Sequence, residues 1–288
     1  MQYYHLIAGL PDLSFGDAKM PYTVDDFKQQ LDEVLSDTDK KPVYDIFLKY
    51  DNDNLLAFLN GKVRNFSWNK DAIFNAKSAF SQEEIAALVQ DIREEENLRN
   101  KKTPSYFKVF ISDFITEDET SHKMFWEDQL ASLYYDYLGR SNNKFIRSWA
   151  ELNLNINNVM TALTCRRNGT AHVSYIVGNN EVAENLRTSN ARDFGLTEIF
   201  EHFDALRRID EDPDFLEKEH QIDRLRWRWI DETNFFNYFT IEHVIGYLFK
   251  LQMLERWAIL HEDSGKQMFS NIVNNMKKGA LNLKSEFI

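Results

Sequence analysis

The chain has 288 residues, of which 43% are hydrophobic and 28% charged, and its net charge is −12. The composition is that of a globular protein, and a chain of this length buries about three quarters of the surface its unfolded form exposes. The acidic balance disfavours a nucleic-acid binder, which needs Lys and Arg against phosphates, and equally disfavours broad attachment to an anionic bilayer.

Ten glycines and five prolines are too few for the turns of a large all-β protein, so an all-α fold of long helices is expected. The single cysteine, Cys165, cannot form an intrachain disulfide or a thiolate metal cluster; it fits a reducing compartment and reads as a core residue. The start, MQYYHLIAGLPDL, lacks the basic opening and long apolar stretch of a signal peptide. No apolar run approaches the roughly 18–20 residues of a membrane span. The expected location is cytoplasmic, with membrane contact only through partners. The glycosylation-type triplets at Asn65 and Asn168 then carry no meaning.

In chain order, the first fifteen residues predict a short helix that turns at Gly9-Leu10-Pro11. Thr23 reads as an N-cap, with Asp25 and Asp26 in the first turn and Phe27, Leu31, Val34 and Leu35 at helical spacing. A second helix is expected from Pro42 to about Leu59, closed by Gly61. Ser81-Gln82-Glu83-Glu84 is a capping box, opening a helix with Ile85, Leu88, Val89 and Ile92 on one face and running into the charged stretch Asp91–Lys102. Thr103-Pro104 marks a turn and the best internal boundary. Thr116-Glu117-Asp118-Glu119 reads as a second capping box, with a helix behind it from Phe125 to Gly139. Phe145–Arg167 reads as a helix despite the strand-like alternation of Leu152–Asn157, and 171–178 as irregular structure or helix. Leu196–Leu206, Phe215–Ile230 and Thr240–Leu260 are further predicted helices; Thr240 is the expected N-cap of the last, which is apolar on most sides, as a buried central helix is. A final amphipathic helix is expected over Gln267–Lys278.

No low-complexity linker divides the chain, so 1–288 reads as one helical protein, with lobes expected at 1–103, 104–190 and 191–288. A short internal similarity accompanies this division. Asp53-Asn54-Leu55-Leu56 with Leu59 matches Asn157-Asn158-Val159-Met160 with Leu163, and Asn234-Phe235-Phe236 with Phe239 is a weaker third copy.

Motifs for chemistry are missing. There is no G-x-x-x-x-G-K-[ST] and no G-x-G-x-x-G for phosphate, no H-E-x-x-H or H-x-x-x-H for zinc and no G-x-S-x-G elbow. The acidic runs Glu94–Glu96, Glu117–Glu119 and Asp210–Asp212 read as solvated faces. No catalytic residue, cofactor or metal is expected.

Two arginine clusters stand out as candidate protein-binding residues. Arg224, Arg226 and Arg228 interleave with Leu225, Trp227 and Trp229. Helical spacing puts Ile222, Leu225 and Trp229 in the core and leaves the arginines to ion pairs or a partner, since Trp and Arg are enriched at interface hot spots. Such interleaving also grips single-stranded nucleic acid, a reading the acidity of the rest opposes. Arg166 and Arg167 close a helix, where cations offset the dipole and could also meet an acidic partner.

The segment Tyr3-Tyr4-His5-Leu6-Ile7-Ala8-Gly9-Leu10-Pro11-Asp12-Leu13, with Phe47-Leu48-Lys49-Tyr50-Asp51-Asn52-Asp53-Asn54-Leu55-Leu56, resembles an uncharacterised bacterial family encoded in V-type ATPase operons. More distantly, the chain is similar to the C/d-type central-stalk component of V/A-type ATPases, through Leu163-Thr164-Cys165-Arg166-Arg167 and through Tyr247-Leu248-Phe249-Lys250 to Glu255-Arg256. It departs from that pattern at Gln252, where an acidic residue is expected.

The resemblance implies a helical funnel of three related lobes that seats the rotor axle on the membrane ring. It thus implies a non-catalytic central-stalk component at the inner face of the membrane, with the axle and ring subunits as partners. A free helical adaptor or assembly factor is the alternative.

Overall fold

The computed structural model describes residues 2–16, 20–61, 68, 74–94, 103–116 and 125–260. Every regular element among them is helical and there is no strand. No helix among the described residues is long and apolar enough to cross a membrane. The chain divides into two compact units, residues 37–222 and residues 1–36 together with 223–288, the division falling within a continuous helix.

In the first of these units, α3 (Asp37–Leu59) is the long element. It starts five residues ahead of Pro42, so the proline lies inside rather than at the first turn. It therefore cannot donate to the Thr38 carbonyl, a cost the helix carries near its own start. Ser81 caps α4 (Gln82–Arg93) through the expected box: its hydroxyl accepts from the Glu84 amide and the Glu84 carboxylate accepts from the Ser81 amide.

α5 (Ser105–Thr116) carries Tyr106, Phe107, Phe110, Ile111 and Phe114 inward, a helix not expected from the sequence. Thr116 is its last residue and its hydroxyl donates back to the Ser112 carbonyl at 2.8 Å. The rest of the supposed box at Thr116 lies outside the described residues.

α6 (Trp126–Gly139) packs on α5 and α7. α3, α4, α5 and α6 enclose one core of Leu48, Leu55, Leu59, Ile85, Phe107, Phe110, Ile111 and Leu130. Phe107, Phe110 and Ile111 are completely buried, and burying each such side chain stabilises by about 1.5–3 kcal/mol.

α7 (Lys144–Arg167) is a single uninterrupted helix including the alternating Leu152–Asn157 segment, because its apolar positions Ile146, Ala150, Val159, Ala162 and Leu163 keep helical spacing. It packs against α6, against α8 (Glu181–Thr188) and against α9 (Phe203–Asp210). A single 3-10 turn, Val173–Tyr175, is the only regular element over 171–178. Residues 196–202 are successive turns, so the expected Leu196–Leu206 helix is realised only from Phe203. Phe194 and Gly195, with φ of 54° and 70°, are both left-handed and turn the chain just before it.

The other unit contains α1 (Tyr4–Ala8), α2 (Val24–Val34) and the helix over residues 241–260, here α11. Thr23 caps α2 with Asp26 as its reciprocal partner. Phe27 of α2 packs edge-on to Tyr247 of α11 at 5.2 Å, and the Tyr247 hydroxyl donates to the Pro11 carbonyl. Ile241, Val244, Ile245, Leu248, Leu251, Leu254 and Trp257 are all buried, as expected of a central helix. Thr240, however, does not cap it: its hydroxyl has no hydrogen-bond partner among the described residues. α10 (Phe215–Thr233) runs through the division between the units. The helix expected over Gln267–Lys278 lies outside the described residues.

Candidate functional site

Two residues of the internal similarity, Asn54 in α3 and Asn158 in α7, make the same kind of contact to a following loop. The Asn54 amide donates to the Asn75 carbonyl at 3.0 Å and accepts from the Asn75 amide at 2.8 Å. The Asn158 amide likewise donates to the Val177 carbonyl at 2.7 Å and accepts from the Val177 amide at 2.9 Å. In each case one buried side chain satisfies both backbone groups of one residue in the loop that leads to the next helix.

Three residues earlier the parallel continues. Asp51 is fully buried and accepts from the amides of Ala79 and Phe80, directly before the N-cap of α4. Asn155 accepts from the side chain of Asn180, which is the N-cap of α8. Both long helices thus carry a polar pair that fixes the start of the following short helix. A related contact exists in the other unit, where the Glu255 carboxylate of α11 accepts from the Val24 amide at the start of α2. Asn234, in the weaker third copy, donates to the Glu242 carbonyl at 3.1 Å.

Arg166 and Arg167 lie in the last turn of α7 and reach separate partners. Arg166 donates to the carbonyls of Ala191 and Arg192, and its guanidinium sits 3.4 Å from the centre of the buried Phe194 ring. It thereby holds the left-handed turn at 194–195. Burial pushes its pKa below the ordinary arginine value, against the pull of nearby Asp193, and it remains a cation. Arg167 donates to the carboxylate of Asp210 at 2.6 Å and to its carbonyl at 2.9 Å. Lys218 of α10 donates to the same carbonyl at 2.6 Å. The C-terminal end of α9 is therefore closed by two cations, which offset its dipole.

Both arginines border a cleft of about 610 Å³ in the 37–222 unit, with Leu163, Arg192, Arg207, Asp210, Glu211, Asp212, Pro213, Phe215 and Lys218. The sequence singled out Arg166 and Arg167 but missed Arg192, Arg207 and Lys218. A partial signal was present, since Arg207 and Arg208 close α9 as Arg166 and Arg167 close α7.

Arg224, Arg226 and Arg228 do not form one surface. Arg226 pairs with the buried Asp223 at 2.9 Å, and Asp223 also accepts from Arg256 and from the indole of Trp257. Arg224 lies 5.5 Å from the Phe15 ring, and Arg228 is exposed. The buried residues here are Ile222, Asp223, Trp227 and Ile230; the expected inward positions Leu225 and Trp229 are only half-buried. Lys250 stands over Trp227, 4.8 Å from its ring centre.

The family described as protein of unknown function DUF2764 matches residues 1–280. The chain belongs to the DUF2764 family. No curated protein and no solved structure matches it. For this DUF2764 protein the described residues contain no group of three or more His, Cys, Asp or Glu placed to hold a metal ion. What they do contain is polar side chains turned to backbone, and a cation-rich cleft.

Proposed function

We propose that the protein is a non-catalytic central-stalk component of a bacterial V-type ATPase, similar to the C/d-type component, that links the rotor axle to the membrane ring. The observation that carries this reading is the doubled brace, in which Asp51 and Asn54 of α3 and Asn155 and Asn158 of α7 anchor the loop and helix that follow. Related helical lobes are what the resemblance implies, and a brace that recurs in α3 and α7 supports that reading. The all-helical architecture supports the same role, because a coupling part transmits torque through packed helices that resist deformation.

Its ring contact would run through partner subunits at the inner face of the membrane, and it would hydrolyse nothing. The test is affinity purification of the assembled ATPase from cells carrying the tagged chain. Stoichiometric recovery with the axle and ring subunits is expected. An intact, active complex that lacks the chain defeats the proposal; transient, substoichiometric association favours an assembly factor instead.

A further inference from the structure

We infer that the cleft between the C-terminal ends of α7 and α9 and the start of α10 is a docking site for an acidic peptide segment of a protein partner. This builds on the reading of the chain as a protein-binding component, and names the chemistry one partner would present.

Positive charge is left over in this cleft. It is lined by five cations (Arg166, Arg167, Arg192, Arg207 and Lys218) against three carboxylates, in a chain whose net charge is −12. Three of the cations are committed. Arg166 is held by loop carbonyls and Phe194, while Arg167 and Lys218 share Asp210. The other two are available. Arg192 is exposed and its guanidinium has no partner among the described residues. Arg207 makes only loose, solvated contacts, at 3.3 Å to Asp204 and 4.0 Å to Glu211. Solvated pairs of that kind are worth about 0–1 kcal/mol and give way readily to a better-placed carboxylate.

Two further features select a peptide over a free phosphate. Three carboxylates in the lining repel a compact dianion, whereas an extended chain can set its own carboxylates against Arg192 and Arg207 and avoid Glu211 and Asp212. Phe215 at the rim is 76% exposed, and with Leu163 and Pro213 it offers an apolar seat that only an organic ligand uses.

The experiment titrates the full-length chain with a fluorescein-labelled peptide of sequence Glu-Glu-Phe-Glu-Glu, with a Lys-Lys-Phe-Lys-Lys peptide and inorganic phosphate as competitors. Saturable binding of the acidic peptide is expected. Arg192→Glu with Arg207→Glu weakens it by about tenfold or more, Arg192→Gln with Arg207→Gln weakens it less, and the charge-matched Lys108→Glu with Arg140→Glu, both exposed and outside the cleft, leaves it within about twofold. No saturable binding, equal loss in the charge-matched control, or displacement by phosphate overturns the inference. The titration uses the isolated chain, so its outcome is separate from whether the chain copurifies with the axle and ring.

Discussion

The doubled brace makes a graded prediction that a simple count of contacts would not. Replacing Asn158 with Ala removes both partners of Val177 at once, stranding one amide and one carbonyl. Asn158 is 2% exposed and Val177 7%, so water cannot easily replace the lost amide. A buried polar group left without a partner costs about 1–3 kcal/mol, so the pair costs about 2–4 kcal/mol after some relaxation of the loop. Asn54→Ala strands the same two groups on Asn75, but Asn75 is half-buried and water reaches it, so that loss is nearer 1–2 kcal/mol by the same reasoning. Urea denaturation of the full-length variants measures both, and amide exchange at Val177 measures the local effect. At about 1.4 kcal/mol per factor of ten, the Val177 amide should exchange about 30-fold faster or more in Asn158→Ala. If Asn158→Ala costs less than about 0.5 kcal/mol, or if Asn54→Ala costs more than Asn158→Ala, the brace is not a structural anchor and the support it lends to related lobes is lost.

Three other outcomes are expected. A methyl group added at Gly246 would lie 2.2 Å from the Asn234 amide nitrogen and 2.9 Å from a methyl of Ile230, so Gly246→Ala lowers the thermal midpoint despite alanine's higher helix propensity, at about 1–3 kcal/mol; Gly246→Ala with Asn234→Ala recovers part of the loss. Asp223→Ala leaves Arg226 and the Trp257 indole facing an empty buried site, and costs about 2–3 kcal/mol in denaturant because Arg256, 44% exposed, escapes to water; Asp223→Asn falls between that variant and the parent. Burial pushes the pKa of His243 below its ordinary 6.5, so the unfolded chain binds the extra proton first: the stability this contributes is complete above about pH 6.5 and is lost as pH falls toward the depressed folded value. His243→Gln should flatten that part of the stability–pH curve, and imidazole NMR titration should read the lowered midpoint directly.

The parts of the fold legible in the sequence are those where the determining interactions are local. Thr23 with Asp26 and Ser81 with Glu84 cap their helices because each box is complete within four residues. The apolar spacing of α7 and of residues 241–260 is long enough to outweigh an alternating stretch in one and a missing cap in the other. Where the deciding partner is distant, local patterns mislead. α8 is short, and its N-cap Asn180 is secured by Asn155 of α7. Residues 196–202 were expected to open a helix, yet they form successive turns behind the left-handed pair Phe194 and Gly195, whose loop Arg166 holds. α5 has apolar periodicity but no cap, and the charged stretch before it points to a boundary instead. Of the cleft only the cation pairs that close α7 and α9 were legible, because its lining spans 163 to 218 and converges only once α7, α9 and α10 are in place.

The buried polar residues also bear on how the shape of these helices is set, because those named above are turned to the chain itself. Asp51 serves two loop amides, Asn54 and Asn158 each serve both backbone groups of one residue, and Asp223 serves two arginines and an indole. Such groups are costly to bury and contribute little net stability, so their value lies in geometry: a hydrophobic replacement would pack as well but would not dictate where the next loop must sit. Two long helices that each use polar residues three apart to set the start of a following helix are therefore alike in how they specify shape, even though α3 does it through a carboxylate on backbone amides and α7 through an amide on a capping side chain. Fixed placement of successive helices is what a coupling part needs, and it leaves Arg192 and Arg207 of the cleft as side chains with capacity to engage something outside the chain.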